Sequence, residues 1–162
     1  MQGQTGYLPD DTKTNLAMLV GRFIVLMPFI PNGISKIMNF TVMAGIMGGT
    51  LGPQMLDGRL FPTQIPLFYF PMPELFLVIS ICFDLIGSLL LIAGLRARAV
   101  APILAGYVLF AILIYHYDVK DGHDAMTILR NLPFVGGLIL ISAFGAGGWS
   151  LDGWLSKKNR KA

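Results

Sequence analysis

Five side chains in this sequence could carry chemistry because of where they stand: Arg22, Lys36, Asp84, His116 and Asn131. A carboxylate, two cations, an imidazole and an amide can hold a proton, pass one on, or grip a polar ligand. Here each sits in or at the end of an apolar run. Asp84 is the sharpest case, the one charged residue in LVISICFDLIGSLLLIAG, Leu77 to Gly94. An unpaired carboxylate at the centre of a bilayer costs about 2.5–3.5 kcal/mol on insertion scales. It must therefore be neutralised, paired, or turned to a wet interior.

Depth along the helices suggests a partner. Asp84 lies roughly ten residues, or about 15 Å, from the outer end of its run, and Arg22 about 9 Å from the inner end of an earlier one. An arginine side chain can extend across the remaining gap of about 6 Å. The expectation is an Arg22–Asp84 ion pair. Such a pair either fixes helix register or takes part in proton transfer and ligand contact, and by itself is weak evidence for stability.

A second polar set gathers at the outer ends. Pro28 and Pro31 in MPFIPNGISKIM each remove a backbone donor and should bend or break the helix there. Asn32, Ser35 and Lys36 follow, and Glu74, His116 and Asn131 are placed at the same level. His116 opens HYDVKDGHDAM, where Asp118, Asp121, His123 and Asp124 resemble a metal-ligand set in composition. Their spacing matches no defined site, so no metal is assigned and a solvated polar loop is expected. Both histidines fall at one end of one hairpin, which does not suit bis-histidine haem.

The elements that position these residues follow from composition. Of 162 residues, 54% are hydrophobic and only 13% charged, about half the charged share of an ordinary soluble domain. A water-facing surface cannot be built from that. A membrane helix needs about 20 mostly apolar residues, and four segments qualify: residues 16–38, 74–95, 97–117 and 128–148. The fold class is all-α, a transmembrane four-helix bundle in a single domain of residues 1–162. A long extracytoplasmic connection joins helices 1 and 2. The apolar, turn-rich stretch from Asn39 to Pro73 should cap the outer interface, with a short helix near Ile65 to Phe70. Glycines between Gly136 and Gly148 are read as permitting close helix packing.

Basic residues set the direction. Arg96 and Arg98 lie in the turn between the second and third spans, and KKNRK closes the basic tail of residues 149–162. These ends belong in the cytoplasm, which puts both termini there. Beside so much apolar sequence the tail suits anionic lipid rather than nucleic acid. Tyr69, Phe70, Tyr115 and Tyr117 fall near one interface, and Trp149 and Trp154 near the other. One cysteine, Cys82, allows no intrachain disulfide. The N-terminal stretch lacks a basic n-region, so the first apolar run is expected to stay as a membrane helix.

The pieces GRFIVLMPFIPNGISKI, FDLIGSLLLIAGLRARA, the histidine closing the third span, and RNLPFVGGLILISAFGAGGWSLD cover about two-thirds of the chain. In these the sequence resembles the DoxX-like family of small four-span membrane proteins. That family commonly has Glu where Asp84 stands, and often Gly at Ser88. The resemblance implies a bacterial or archaeal cytoplasmic (inner) membrane and an accessory or anchoring subunit of a membrane-bound, quinone-linked redox complex. Its partners would be the bilayer and other redox subunits, and oligomerisation is compatible with it. No intrinsic cofactor is expected. A quinone would meet Lys36 and His116, within a polar network of Arg22, Lys36, Asp84, His116 and Asn131. Two alternatives stand beside this: a quinone-reducing oxidoreductase acting on thiosulfate or another small donor, and a transporter of ions or small molecules.

Overall fold

The computed structural model describes residues 12–51, 54–56, 59–61, 66–116 and 122–159. Among these residues four helical segments are long and apolar enough to cross a membrane: Thr12–Met38, Pro73–Ala93, Ala97–Tyr115 and Asp124–Phe144. Among the described residues the regular structure is helical apart from one short hairpin, β1 (Gln54–Leu56) with β2 (Arg59–Phe61), antiparallel with Gln54 opposite Phe61.

The first span is broken, as its prolines require. It consists of α1 (Thr12–Leu26) and α2 (Phe29–Met38), separated by a turn at Met27 and Pro28. Pro31 lacks an N–H, and its ring would strike the carbonyl of Met27 in a continuous helix. At the start of α2 the missing donor costs nothing, because the first turn has no intrahelical acceptor for it. A further helix, α3 (Phe40–Met47), follows almost directly.

The second span looks continuous by hydropathy but changes character midway. It starts as α4 (Pro73–Cys82), widens into a π-turn (Phe83–Gly87) and closes as α5 (Ser88–Ala93). A π-turn shifts the hydrogen-bond ladder by one residue and leaves a carbonyl short of its donor. Ser88 supplies one. Its hydroxyl donates to the carbonyl of Asp84 and, at 3.0 Å, to that of Leu85.

The third span is α6 (Ala97–Tyr115), and the fourth belongs to α7 (Gly122–Phe144). The sequence reading placed the fourth span at 128–148. The helix begins earlier because Asp124 is buried against His116, and it stops at Gly145, whose φ of 83° ends it. The tail forms α8 (Leu151–Asn159), with Trp154, Lys157 and Lys158 exposed.

α1 packs on α5 and α7, α2 on α4 and the π-turn, and α6 along α7. The main core joins Leu26, Phe29, Leu91, Leu104, Val108 and Leu138. A smaller cluster, Ala44, Met47, Phe70, Leu77 and Ile114, binds α3 and the connection to the bundle end. Large apolar side chains such as Phe23, Ile24, Ile86, Leu113 and Leu140 remain exposed around the outside. This is the surface a bilayer requires, since lipid does not penalise apolar exposure.

The connection differs from expectation. Its described part near the expected helix, Pro66–Phe70, is irregular, and Ile65 lies outside the described residues. The chain is pinned there by backbone bonds instead, Leu67 N–H to Ile114 O at 2.9 Å and Phe70 N–H to Met47 O at 3.0 Å. Phe70 is therefore buried in the smaller cluster rather than set in an interfacial belt. Tyr69, Trp149 and Trp154 are exposed as belt residues should be. Tyr117 lies outside the described residues.

Two glycines let helices meet closely. At Gly137 a side chain would run into Val25 of α1. At Gly33 a Cβ would stand 2.7 Å from Leu85 Cδ2 and 3.1 Å from Asp84 Cβ, so α2 lies directly on the π-turn. A Gly33→Val chain should lose about 1–3 kcal/mol through overpacking. Thermal unfolding in detergent should show a lowered midpoint for it. Gly106→Ala, with nothing within 4 Å of the added carbon, should leave the midpoint unchanged or raise it.

Candidate functional site

Asp84 stands on the π-turn with 1% of its side chain exposed. Its Oδ2 accepts from Lys36 Nζ at 2.7 Å and from Asn32 Nδ2 at 2.9 Å. Lys36 Nζ also donates to the Tyr107 hydroxyl, at 2.7 Å. Asn32 and Lys36 lie four residues apart on α2, hence on one face, and Gly33 lets that face reach the carboxylate. Three helical segments thus bring an acid, an ammonium, an amide and a phenol to one point.

The expected Arg22–Asp84 pair does not form. Arg22 is fully buried, yet its guanidinium lies at the other end of the second span. Nη1 donates to Ile92 O at 3.1 Å and, more weakly, to Leu91 O at 3.4 Å; Nη2 donates to Trp149 O at 2.7 Å and Nε to Met18 O at 3.3 Å. The C-terminal carbonyls of α5 lack intrahelical donors and carry the negative end of the helix dipole, so a cation belongs there. Nearby, Asp152 accepts from the N–H groups of Arg96 and Ala97, at 2.8 and 3.0 Å, and so caps the start of α6. Asn15 Oδ1 accepts from Gly148 N–H at 2.6 Å. Arg22 belongs to this knot, which ties helix ends together. The depth estimate fails because Lys36, beyond the proline break, reaches the carboxylate instead.

His116 and Asn131 lie at the opposite end. His116 Nδ1 is 3.0 Å from Asp124 Oδ1, and Asp124 is 1% exposed. These two are consequently not part of a solvated loop. Asn131 Nδ2 donates to Thr127 O at 2.8 Å, one turn earlier on α7. Glu74 is exposed in the first turn of α4, away from the cluster. Asp118 and Asp121 lie outside the described residues, as does the side chain of His123.

A cavity of about 850 Å³ connects the two polar groups. Asn32, Lys36, Ser80, Asp84 and Tyr107 line it at mid-depth, and His116, Thr127, Arg130 and Asn131 at the end. Between them the walls are apolar and aromatic, including Phe76, Phe83 and Phe134. Ile79, Ile103 and Phe110 line it and are also exposed on the outer surface, so the cavity communicates with the lipid side. Its size suits one small amphiphile. Chemically it offers a polar grip for a ring or head and an apolar path for a chain.

A family model described as DoxX matches residues 17–117. The chain belongs to the DoxX family. It is an integral membrane protein with the break in the first span, the Asp84 turn and the whole of α6 inside the matched region. It is similar to the inner membrane protein YqjF of Escherichia coli (strain K12), 28% identical over 144 residues, which cover 89% of this chain and 95% of that protein. Among solved structures, none matches the chain significantly.

Tyr107 is the site residue missed by sequence reasoning. Its signal was a tyrosine in mid-span, away from either headgroup belt, where a phenol needs a hydrogen-bond partner. Replacing Lys36 by Met should strand the buried carboxylate and cost about 3–5 kcal/mol. The K36M/D84N double variant should lose less than the sum of its single changes, because each removes the other's need for a partner. Unfolding midpoints of the wild type, both single variants and the double variant check this coupling.

Proposed function

We propose that this DoxX-family protein is a quinone-site subunit of a membrane-bound redox complex in a cytoplasmic (inner) membrane, with both termini in the cytoplasm. The observation that carries the reading is the lipid-connected cavity with a Lys36–Asp84–Tyr107–Asn32 head at mid-depth. A quinone has a polar ring and a long apolar tail, and such a molecule enters from the membrane rather than from water. Lys36, Tyr107 and Asn32 would hold the ring, and the aromatic walls would take the first part of the tail. When bound, a quinone supplies two-electron redox chemistry coupled to proton uptake.

The protein's own residues suit that task. Lys36 and the Tyr107 hydroxyl are joined by a hydrogen bond beside a carboxylate, so protons are held next to the ring position. The paired His116 and Asp124 lie at the end of the same cavity, where protons could be exchanged with the aqueous side. Lys157 and Lys158 lie on the exposed face of α8, and Arg96 and Arg98 at the same end, which supports the cytoplasmic orientation. The inner membrane location is supported by the name of the Escherichia coli relative. Electrons would come from partner polypeptides, as the family resemblance implies.

Mass spectrometry of the gently solubilised native assembly tests the reading. Redox polypeptides in fixed ratio together with bound quinone are expected. A lone chain retaining quinone and reducing it with thiosulfate would replace the subunit role with an enzyme. A lone chain without quinone would overturn the proposal as a whole.

A further inference from the structure

The cavity reaches the lipid-facing surface between α4 and α6. Ile79 of α4 and Ile103 and Phe110 of α6 line it and are exposed outside. Gly106 lines it too and is itself exposed, and a Cβ added there would meet nothing within 4 Å. It follows Ile103 by three residues and precedes Phe110 by four, so all three share one helix face. Open space at a glycine inside a packed helix pair is unlike Gly33 and Gly137, where the missing side chain lets a neighbour approach.

Contacts frame the gap. Towards α5, Leu104 packs against Gly87 of the π-turn, where a Cβ would stand 2.8 Å from Leu104 Cδ1. Towards the His116 end, Leu67 N–H donates to Ile114 O at 2.9 Å and lays the connection across α6. Just inside the gap the rings of Phe83 and Tyr107 lie with centroids 5.1 Å apart, and the Tyr107 hydroxyl accepts from Lys36. Gly106 therefore stands between a residue of the polar head site and the lipid.

A chain attached to a ring at Lys36 has two ways to run. Along the cavity it would cover His116, Thr127, Arg130 and Asn131, and hydrocarbon laid over polar groups without new partners is costly. Sideways it meets Ile79, Ile103 and Phe110 and passes into the acyl chains. We infer, resting on the quinone-site reading, that the tail of the bound molecule leaves the bundle between α4 and α6 across Gly106. The missing side chain supplies the clearance. Gly106 is thus a specificity-determining residue for the tail: its size decides whether a ring carrying a chain is accepted, while the ring itself is held further in.

The test separates tail from ring. The full chain is reconstituted in lipid nanodiscs and titrated with decylubiquinone and with dimethoxy-methyl-benzoquinone, the same ring without the tail. Wild type is compared with Gly106→Leu and with a control, Gly136→Leu on α7. Gly136 is also exposed with nothing within 4 Å of an added Cβ, and it does not line the cavity. The G106L chain should bind decylubiquinone roughly tenfold or more weakly and the tail-less ring as the wild type does. The G136L chain should match the wild type for both. Undiminished binding of decylubiquinone by G106L, or an equal loss of both ligands, overturns the tail route and leaves the quinone site standing. No saturable binding of either ligand by the wild type overturns both. A second measurement needs no variant and covers a G106L chain that fails to fold. A decylubiquinone analogue with a diazirine in its tail, irradiated on the wild type, should label Ile79, Ile103 or Phe110; labelling of Thr127, Arg130 or Asn131 in their place overturns the route.

Discussion

A carboxylate in the middle of an apolar helix must be answered within the protein, and the architecture follows from how Asp84 is answered. Two helices depart from regular geometry at the place where they touch. The first span breaks at Met27 and Pro28, so that α2 can present Asn32, Gly33 and Lys36 as one face. The second widens into a π-turn at Phe83–Gly87, which carries Asp84 toward that face. Gly33 removes the side chain that would hold the two apart. Each irregularity leaves backbone groups to satisfy, and each is met locally: Pro31 needs no donor at the start of α2, and Ser88 covers the carbonyl of Asp84.

The buried charges divide by environment rather than by type. Arg22 donates from Nη1 and Nη2 to backbone carbonyls where α5 ends and just before α8. With Asn15 and Asp152 it closes orphaned groups at helix ends, the condition for irregular backbone near a membrane. Nothing in that knot faces the cavity. Lys36 and Asp84 satisfy each other only in part and line open space. One group of charges holds ends together, and the other presents a surface.

Much of this was legible in the sequence because hydropathy is a one-dimensional property. The four spans, the proline break and the polar groups at Lys36 and Asp84 need only composition and spacing. What could not be read depends on packing in three dimensions. By depth Arg22 came within reach of Asp84, but depth along two separate helices ignores the break that redirects α2 and brings Lys36 to the carboxylate. The π-turn has no sequence mark comparable to a proline. Tyr107 looks like one more apolar aromatic until the lysine beside it is known. Asp124 looks solvated because its imidazole partner lies eight residues earlier, at the end of the third span. In α3, the dense glycines that suggested a loop end a short helix rather than prevent one.

The energetics of the Lys36–Asp84 pair bear on why it is there. A buried ion pair is often no more stabilising than well-packed apolar residues of the same volume, and in lipid those residues are plentiful. A fold needing only helix register could have used a contact like that of Gly137 with Val25. Instead the chain keeps a cavity of about 850 Å³ beside a charged pair, forgoing packing contacts along α4, α6 and α7, and buries a carboxylate whose charge must be answered by the few polar groups of that point. Each feature lowers stability, and they coincide at one point in the bundle. Strain and unsatisfied polar groups concentrated in this way mark sites built for a ligand. The Arg22 knot, with its donors placed on backbone carbonyls, shows the other way this chain answers a buried charge.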